Sequence, residues 1–250
     1  MLDIWAACAG RIAPAPLGGA LVRMVESQER IATNRIVDDL AEQAQLEELI
    51  EASKPRLLAA SEHLHYLLAT PFRYPPLRHG SRFGTRHEPS LLYGSAAIGT
   101  TLAEVAYYRL VFWAGMEQPP PAGAITSEHT AFGAAFSTSR GVRLQAPPFA
   151  RYTSDISHPA SYAASQRLGQ AMREGRIEAF EYRSARDPNG GVGIGLFTPA
   201  ALAEPAPTFQ QSWLCETRAD HVAFLSVEGG AHGFPREVFL HEGTFPQPAM

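Results

Sequence analysis

Two spacings of apolar residues alternate along the chain, and each switch between them marks an element. Gly19 to Val25 (GALVRMV) alternates, with Leu21, Arg23 and Val25 set against Val22 and Met24. That period of two predicts a strand. Ser27 then stands as a helix N-cap. From Ile31 the spacing becomes helical, through Ile36, Val37, Leu40, Ala44, Leu46, Leu49 and Ile50. The acidic residues between Asp38 and Glu51 read as the solvated face. Two helices broken near Asp38 or Asp39 are expected rather than one, and Pro55 ends the pattern. Leu57 to Leu68 holds a further apolar cluster. His63 and His65 inside it would fall on different faces of a helix, which disfavours a metal pair. PFRYPPLRHG, at 71–80, is a proline-fixed connection.

The second half reads as shorter pieces. Leu91, Leu92 and Tyr93 predict a strand that stops at Gly94-Ser95, and Leu102 to Trp113 is apolar for long enough to make a helix. Residues 118–123 (QPPPAG) form a loop rather than a domain linker, because the same composition resumes on both sides. Ala131 to Ser137 and Val142 to Leu144 predict short strands. Ser161 to Arg173 predicts a helix with Ala163, Ala164, Leu168 and Met172 on its apolar face. Ile177 to Arg183 alternates, and Gly191 to Phe197 (GVGIGLF) is a buried strand whose glycines admit a close neighbour. Trp213 to Cys215 and Val222 to Val227 close a hairpin around Arg218 to Asp220. The Gly-, Pro- and His-rich tail from Gly229 is expected to be loosely ordered.

Composition narrows the functional classes. A chain of 250 residues can bury one complete core, so a single domain over 1–250 is expected. A net charge of −4 argues against a nucleic-acid partner, which needs a basic field. Two cysteines, Cys8 and Cys215, supply neither a disulfide framework nor a metal spacing. The start MLDIWAACAG lacks a basic leader region, and no apolar run is long enough to span a bilayer, so a cytoplasmic protein is expected. GVGIGL is not a phosphate fingerprint, since no helix follows it and the third glycine is missing.

The candidate chemistry lies in residues 78–110, RHGSRFGTRHEPSLLYGSAAIGTTLAEVAYYRL. Arg82, Tyr93 and Glu104 recur there at equal intervals. Arg offers a planar donor fork for a phosphate, Tyr a stacking face, and Glu an acceptor that opposes developing positive charge. Together they suit an anionic nucleotide with a reactive sugar. Each also has a plainer reading. Thr101-x-x-Glu104 forms a capping box, Tyr93 a half-buried strand aromatic, and Arg82 a solvated loop residue.

The runs GSRFG, LLYGS, TLAEVAYYR and, far downstream, EYRSARDPNGGVGIGLF resemble the RES-domain family. The resemblance covers about residues 20–200. It implies an α/β (α+β) fold like that of the ADP-ribosyltransferases, with mainly antiparallel strands in two twisted sheets around a cleft. A helical insertion at about 27–68 and the tail at about 229–250 depart from shorter members. The family's site residues fall on Arg82, Tyr93, Glu104 and Ser184. A strand arginine that faces the nucleotide falls on Arg23, with Arg73 competing. The implied substrate is NAD+, cleaved at its nicotinamide–ribose bond, with no cofactor beyond it. Water, phosphate or a protein side chain would be the acceptor. Arg82 and Arg23 would hold the pyrophosphate, Tyr93 would stack on nicotinamide, and Ser184 would orient Glu104 or the ribose. Without the resemblance, Ser184 reads as a turn serine bonding its own backbone. The implied partner is an antitoxin of the Xre-type helix-turn-helix class. A homo-oligomer and a non-catalytic nucleotide-binding module are both compatible with the sequence.

Overall fold

The computed structural model describes residues 3–9, 13–27 and 37–247. A short helix α1 (Ile4–Ala9) precedes strand β1 (Ala15–Glu26). Alternation along β1 buries Leu17 and Leu21 on one face and Met24 on the other. Arg23 shares the face of Leu21. The region between Ser27 and Val37, with the first of the two expected helices, lies outside the described residues. Helix α2 (Leu40–Ser53) starts at Asp39, whose carboxylate accepts from the N–H groups of Ala41 and Glu42. Its apolar positions do not form a core face as their spacing implied: Leu40 is 88% exposed and Leu49 63%.

Helix α3 (Tyr66–Arg73) starts at His65, whose imidazole accepts from the Leu67 N–H. His63 and His65 therefore precede a helix instead of lying on one. The connection expected at 71–80 begins later than its prolines suggest, because Pro71 is inside α3. Next come β2 (Leu92–Ser95), α4 (Ile98–Ala114) and β3 (Ile125–Arg143). The two short strands expected near 131–144 are one strand. Gly141, in the gap between them, and Gly133, inside the first of them, are places where a side chain packs on the backbone. A Cβ on Gly141 would lie 2.1 Å from Leu17, and one on Gly133 2.5 Å from the Phe209 ring.

After β3 the chain forms a single turn α5 (Thr153–Ile156), α6 (Ala163–Glu174), β4 (Ala179–Arg183) and β5 (Val192–Leu196). Helix α6 buries Ser165, Leu168, Gly169 and Met172, while Ala163 is exposed. The glycines of β5 receive aromatic rings rather than backbone. A Cβ on Gly193 or Gly195 would meet the ring of Tyr182 or Phe180 at 2.4 and 2.2 Å. Strands β6 (Phe209–Thr217) and β7 (His221–Ser226) form the expected hairpin, and β8 (Ala231–Pro235) pairs with β7.

Among the described residues eight strands form one sheet in the order β1-β2-β5-β4-β3-β6-β7-β8, with β1 also paired along β3, and only the β3–β4 pairing is parallel. The two expected sheets are thus joined, because β3 serves both. Its stretch from His129 to Gly141 pairs with β1, and its first half also pairs with β6. Helix α4 packs on β1 and β7 through Leu102, Ala106, Tyr107 and Leu110, all fully buried. The tail is ordered through its described end, unlike the expectation from its composition. Phe239 and Phe245 pack on the Tyr107 ring at 6.0 and 5.4 Å, and the Tyr107 hydroxyl donates to the Pro246 carbonyl at 2.6 Å. No helix among the described residues is long and apolar enough to cross a membrane.

Candidate active site

Arg82 is carried by a tight loop. Gly80 has φ +72°, and a Cβ there would lie 2.2 Å from the Gly84 carbonyl oxygen, so the turn needs glycine. Ser81 and Gly84 then bridge, with the Ser81 N–H donating to Gly84 O at 2.7 Å. Helix α6 holds the loop from behind. Gln166 Nε2 donates to the carbonyls of His79 and Ser81 at 3.0 and 3.1 Å. Arg82 is turned inward and only 7% exposed. Its Nη1 donates to His158 O at 3.0 Å, and its guanidinium lies 4.6 Å from the centre of the Tyr162 ring. The reading of Arg82 as a solvated loop residue is set aside by this burial.

Tyr93, on β2, ties three parts together. Its hydroxyl lies 2.9 Å from Ser81 Oγ and accepts from the Phe83 N–H at 2.9 Å. Its carbonyl accepts from Arg23 Nη1 at 2.8 Å. Burial pushes its pKa up to about 12, against the pull of the Ser81 and Phe83 hydrogen bonds. The phenol is therefore neutral at ordinary pH. Arg23 reaches this point from β1, and its Nε is buried without a hydrogen-bond partner among the described residues. Burial lowers its pKa from the ordinary arginine value. Arg73 is engaged elsewhere, with Glu51 at 2.8 Å and Pro55 O, whereas Arg23 lines the cleft beside Arg82.

Glu104 lies in the second turn of α4. The helix starts at Ile98 after Ala97, without a side-chain cap, so the capping-box reading fails. Thr101 instead donates from inside the helix to Val22 O at 3.0 Å, pinning α4 to β1. The Glu104 carboxylate accepts from the Ser184 hydroxyl at 2.5 Å. Ser184 Oγ in turn accepts from the Arg186 and Asp187 N–H groups, each at 3.1 Å. Ser184 thus makes the turn contacts of the plainer reading and also bonds Glu104. Two backbone donors occupy its lone pairs, and its single proton is left for Glu104. Ser184 is 5% exposed and stands behind Glu104 rather than in the cleft wall.

A second bond runs parallel to the first. Thr100 Oγ1 donates to Asp187 Oδ2 at 2.7 Å, one helical turn before Glu104 and three residues after Ser184. A Cβ on Gly191 would meet this pair at 2.0 and 2.4 Å, so the close crossing requires glycine. Sequence reasoning missed Thr100 and Asp187. Their signal was the spacing, since each sits beside a candidate residue on the same two elements.

Between these walls is a cleft of about 400 Å³, lined among others by Arg23, Arg82, Tyr93, Glu104, Tyr108 and Tyr182. The Tyr108 and Tyr162 hydroxyls meet at 3.1 Å along one side. Burial, and then the charge of Glu104, keep the Tyr182 phenol well above its ordinary pKa. Two fixed cations, one oriented carboxylate and neutral aromatic faces thus converge. Among the described residues no group of three or more His, Cys, Asp or Glu could hold a metal.

A mixed α/β sheet with this cleft places the molecule in a defined class. The RES-domain family model matches residues 56–232, and the chain belongs to that family. Arg82, Tyr93, Glu104 and Ser184 lie within the match, whereas Arg23 and the end of the tail lie outside it. Among solved structures, a chain of the M. tuberculosis MbcT–MbcA toxin–antitoxin complex superposes with a TM-score of 0.49 at 11% identity, covering 84% of this chain and 91% of that one. No curated protein matches.

Proposed function

We propose that the cleft binds NAD+ and breaks its nicotinamide–ribose bond, and that the protein is a toxin restrained by a partner antitoxin. The observation that carries this reading is Glu104, a carboxylate oriented by Ser184 in a cleft that also presents Arg82, Arg23 and Tyr93. Cleavage of this bond needs little acid catalysis. The C1′–N bond breaks, its electron pair passes to the pyridinium nitrogen, and nicotinamide leaves neutral. The ribose left behind is oxocarbenium-like and positive, so the site must position it and oppose its charge.

Each residue has one part in this scheme. Arg82 and Arg23 hold the pyrophosphate by charge-assisted bonds, worth roughly 1.5–3 kcal/mol each. The ring of Tyr93 stacks against nicotinamide. One Glu104 oxygen is committed to Ser184, which leaves the other for a ribose hydroxyl and the developing charge. Water then adds to C1′ and loses a proton, or phosphate or a protein side chain adds in its place. An enzyme that spends NAD+ without restraint stops growth, which is the reason to expect an inhibitor; that it is of the Xre-type helix-turn-helix class is what the family resemblance implies.

Purified protein incubated with NAD+, with and without inorganic phosphate, tests the chemistry. Free ADP-ribose marks a glycohydrolase and a phosphorylated ADP-ribose a phosphorylase, while label retained on protein marks a transferase. NAD+ left intact under both conditions overturns the proposal.

A further inference from the structure

Two charges of the cleft, Arg82 and Glu104, come from different elements. A reaction that holds a phosphate at one and a ribose at the other needs a fixed distance between them. Each charge is seated on a further segment. Arg82 Nη1 donates to His158 O at 3.0 Å and reaches Ile156 O at 3.5 Å. Glu104 is held by Ser184, whose hydroxyl oxygen accepts from the turn that follows it. Arg186 joins these two seats. Its backbone N–H donates to Ser184 Oγ at 3.1 Å, and its Nη2 donates to Pro159 O at 2.8 Å, one residue beyond the carbonyl that seats Arg82. Its guanidinium also lies 3.5 Å from the centre of the Tyr107 ring, and Tyr107 follows Glu104 by three residues on the same face of α4. Ser157 Oγ adds a neighbouring tie by donating to Arg183 O at 2.5 Å.

Arg186 does this from behind the site, since it is 3% exposed and does not line the cleft. Stability alone gives no reason for an arginine there. Among the described residues its guanidinium makes no ion pair, and its Nε is buried without a hydrogen-bond partner. An unpaired buried charge and an open buried donor both cost free energy. A methionine would fill the same space against the Tyr107 ring without either cost. It would lack only the bond to Pro159 and the planar stack that aims it. What the arginine adds is therefore geometry: one side chain touches the helix of Glu104, the turn of Ser184 and the segment that seats Arg82.

We propose that Arg186 is a positioning residue that sets the separation of Arg82 and Glu104 by tying the Ser184 turn to the segment 156–159. This role rests on the NAD+ reading of the cleft, so one arm of the test uses turnover and the other does not. In steady-state kinetics on NAD+, Arg186→Met should lower kcat about tenfold with KM nearly unchanged. Its melting temperature should stay within about 3 °C of wild type. Ser184→Ala already frees Glu104, so adding Arg186→Met to it should cost little more. The double variant is expected to be about as slow as the slower single variant, not slower by the product of the two losses. The second arm compares amide hydrogen exchange in wild type and Arg186→Met without substrate. The amides of Ser157 and Ala160, bonded to Thr153 O and His158 Nδ1, lie in one segment. Those at positions 186 and 187, bonded to Ser184 Oγ, lie in the other. Both sets should exchange about tenfold faster in the variant.

Unchanged kcat, a multiplied loss in the double variant, or exchange that does not rise in both segments would each overturn the role. A variant that does not fold would mark Arg186 as a packing residue and overturn it as well. If wild type leaves NAD+ intact, the reading of the cleft fails on its own, and the exchange arm alone decides whether Arg186 ties the two segments.

Discussion

Ser184 and Arg82 show what single side chains contribute beyond their charge. The two backbone donors at Ser184 Oγ fix where its proton goes, so Ser184→Ala removes the orientation of Glu104 without touching the cleft wall. We expect kcat to fall about tenfold while KM changes little, as steady-state kinetics on NAD+ would show. Equal losses in binding and rate would instead place Ser184 against the ligand. Arg82→Lys keeps a charge but loses the planar fork and its seat over Tyr162. NAD+ affinity should drop about tenfold by calorimetry. At this scale the sequence was informative for residue type and silent on context. Arg82, Tyr93 and Glu104 could be singled out, but burial of Arg82 depends on carbonyls of 156–158 far along the chain. Likewise, Thr101-x-x-Glu104 satisfied a local capping rule that lost to a helix start three residues earlier.

Elements place these side chains, and two predictions belong here. The Thr100–Asp187 bond holds α4 to the turn that carries Ser184. Thr100→Val keeps the shape and deletes the hydroxyl, so Glu104 should lose its fixed distance and kcat should drop several-fold. Thr100→Ser should recover most of the rate, which a purely steric role would not allow. Strand β3 carries His129, 4% exposed, whose Nε2 lies 2.9 Å from Ser127 Oγ. Burial, and then the charge of Arg109, lower its pKa to about 4. The unfolded chain protonates near pH 6.5, so the stability from this neutral imidazole is full above that pH and is lost as pH falls through about 4. His129→Gln should flatten the fall in unfolding free energy across that window, by up to about 3 kcal/mol at its acid end, as denaturant titrations at several pH values would show. An unchanged slope would remove His129 as its source. Element types were legible where the period was sustained, as in β1, α6 and β4. The length of β3 was not, because Gly141, which accommodates Leu17, falls in the gap left between the two expected strands.

At the scale of the molecule, the described strands form one sheet through the long shared strand β3, and the tail is ordered although its composition pointed the other way. What orders the tail is tertiary: Phe239 and Phe245 cover Tyr107, and Arg236 lies 4.7 Å from the Phe245 ring. Truncation after Pro235 should therefore lower the melting temperature by several degrees or more, since it uncovers a buried aromatic cluster behind Glu104. The toxin reading belongs at this scale too. Expressed alone the protein should deplete cellular NAD+ and arrest growth, and the partner should restore both. The central claim is narrower than any of these. It is met most directly by nicotinamide release from NAD+ by the purified full-length protein and its Glu104→Gln variant, matched by circular dichroism. We expect many turnovers from wild type and a rate about 10²–10³ lower from the variant. Equal release from both, or none from folded wild type, would contradict the account.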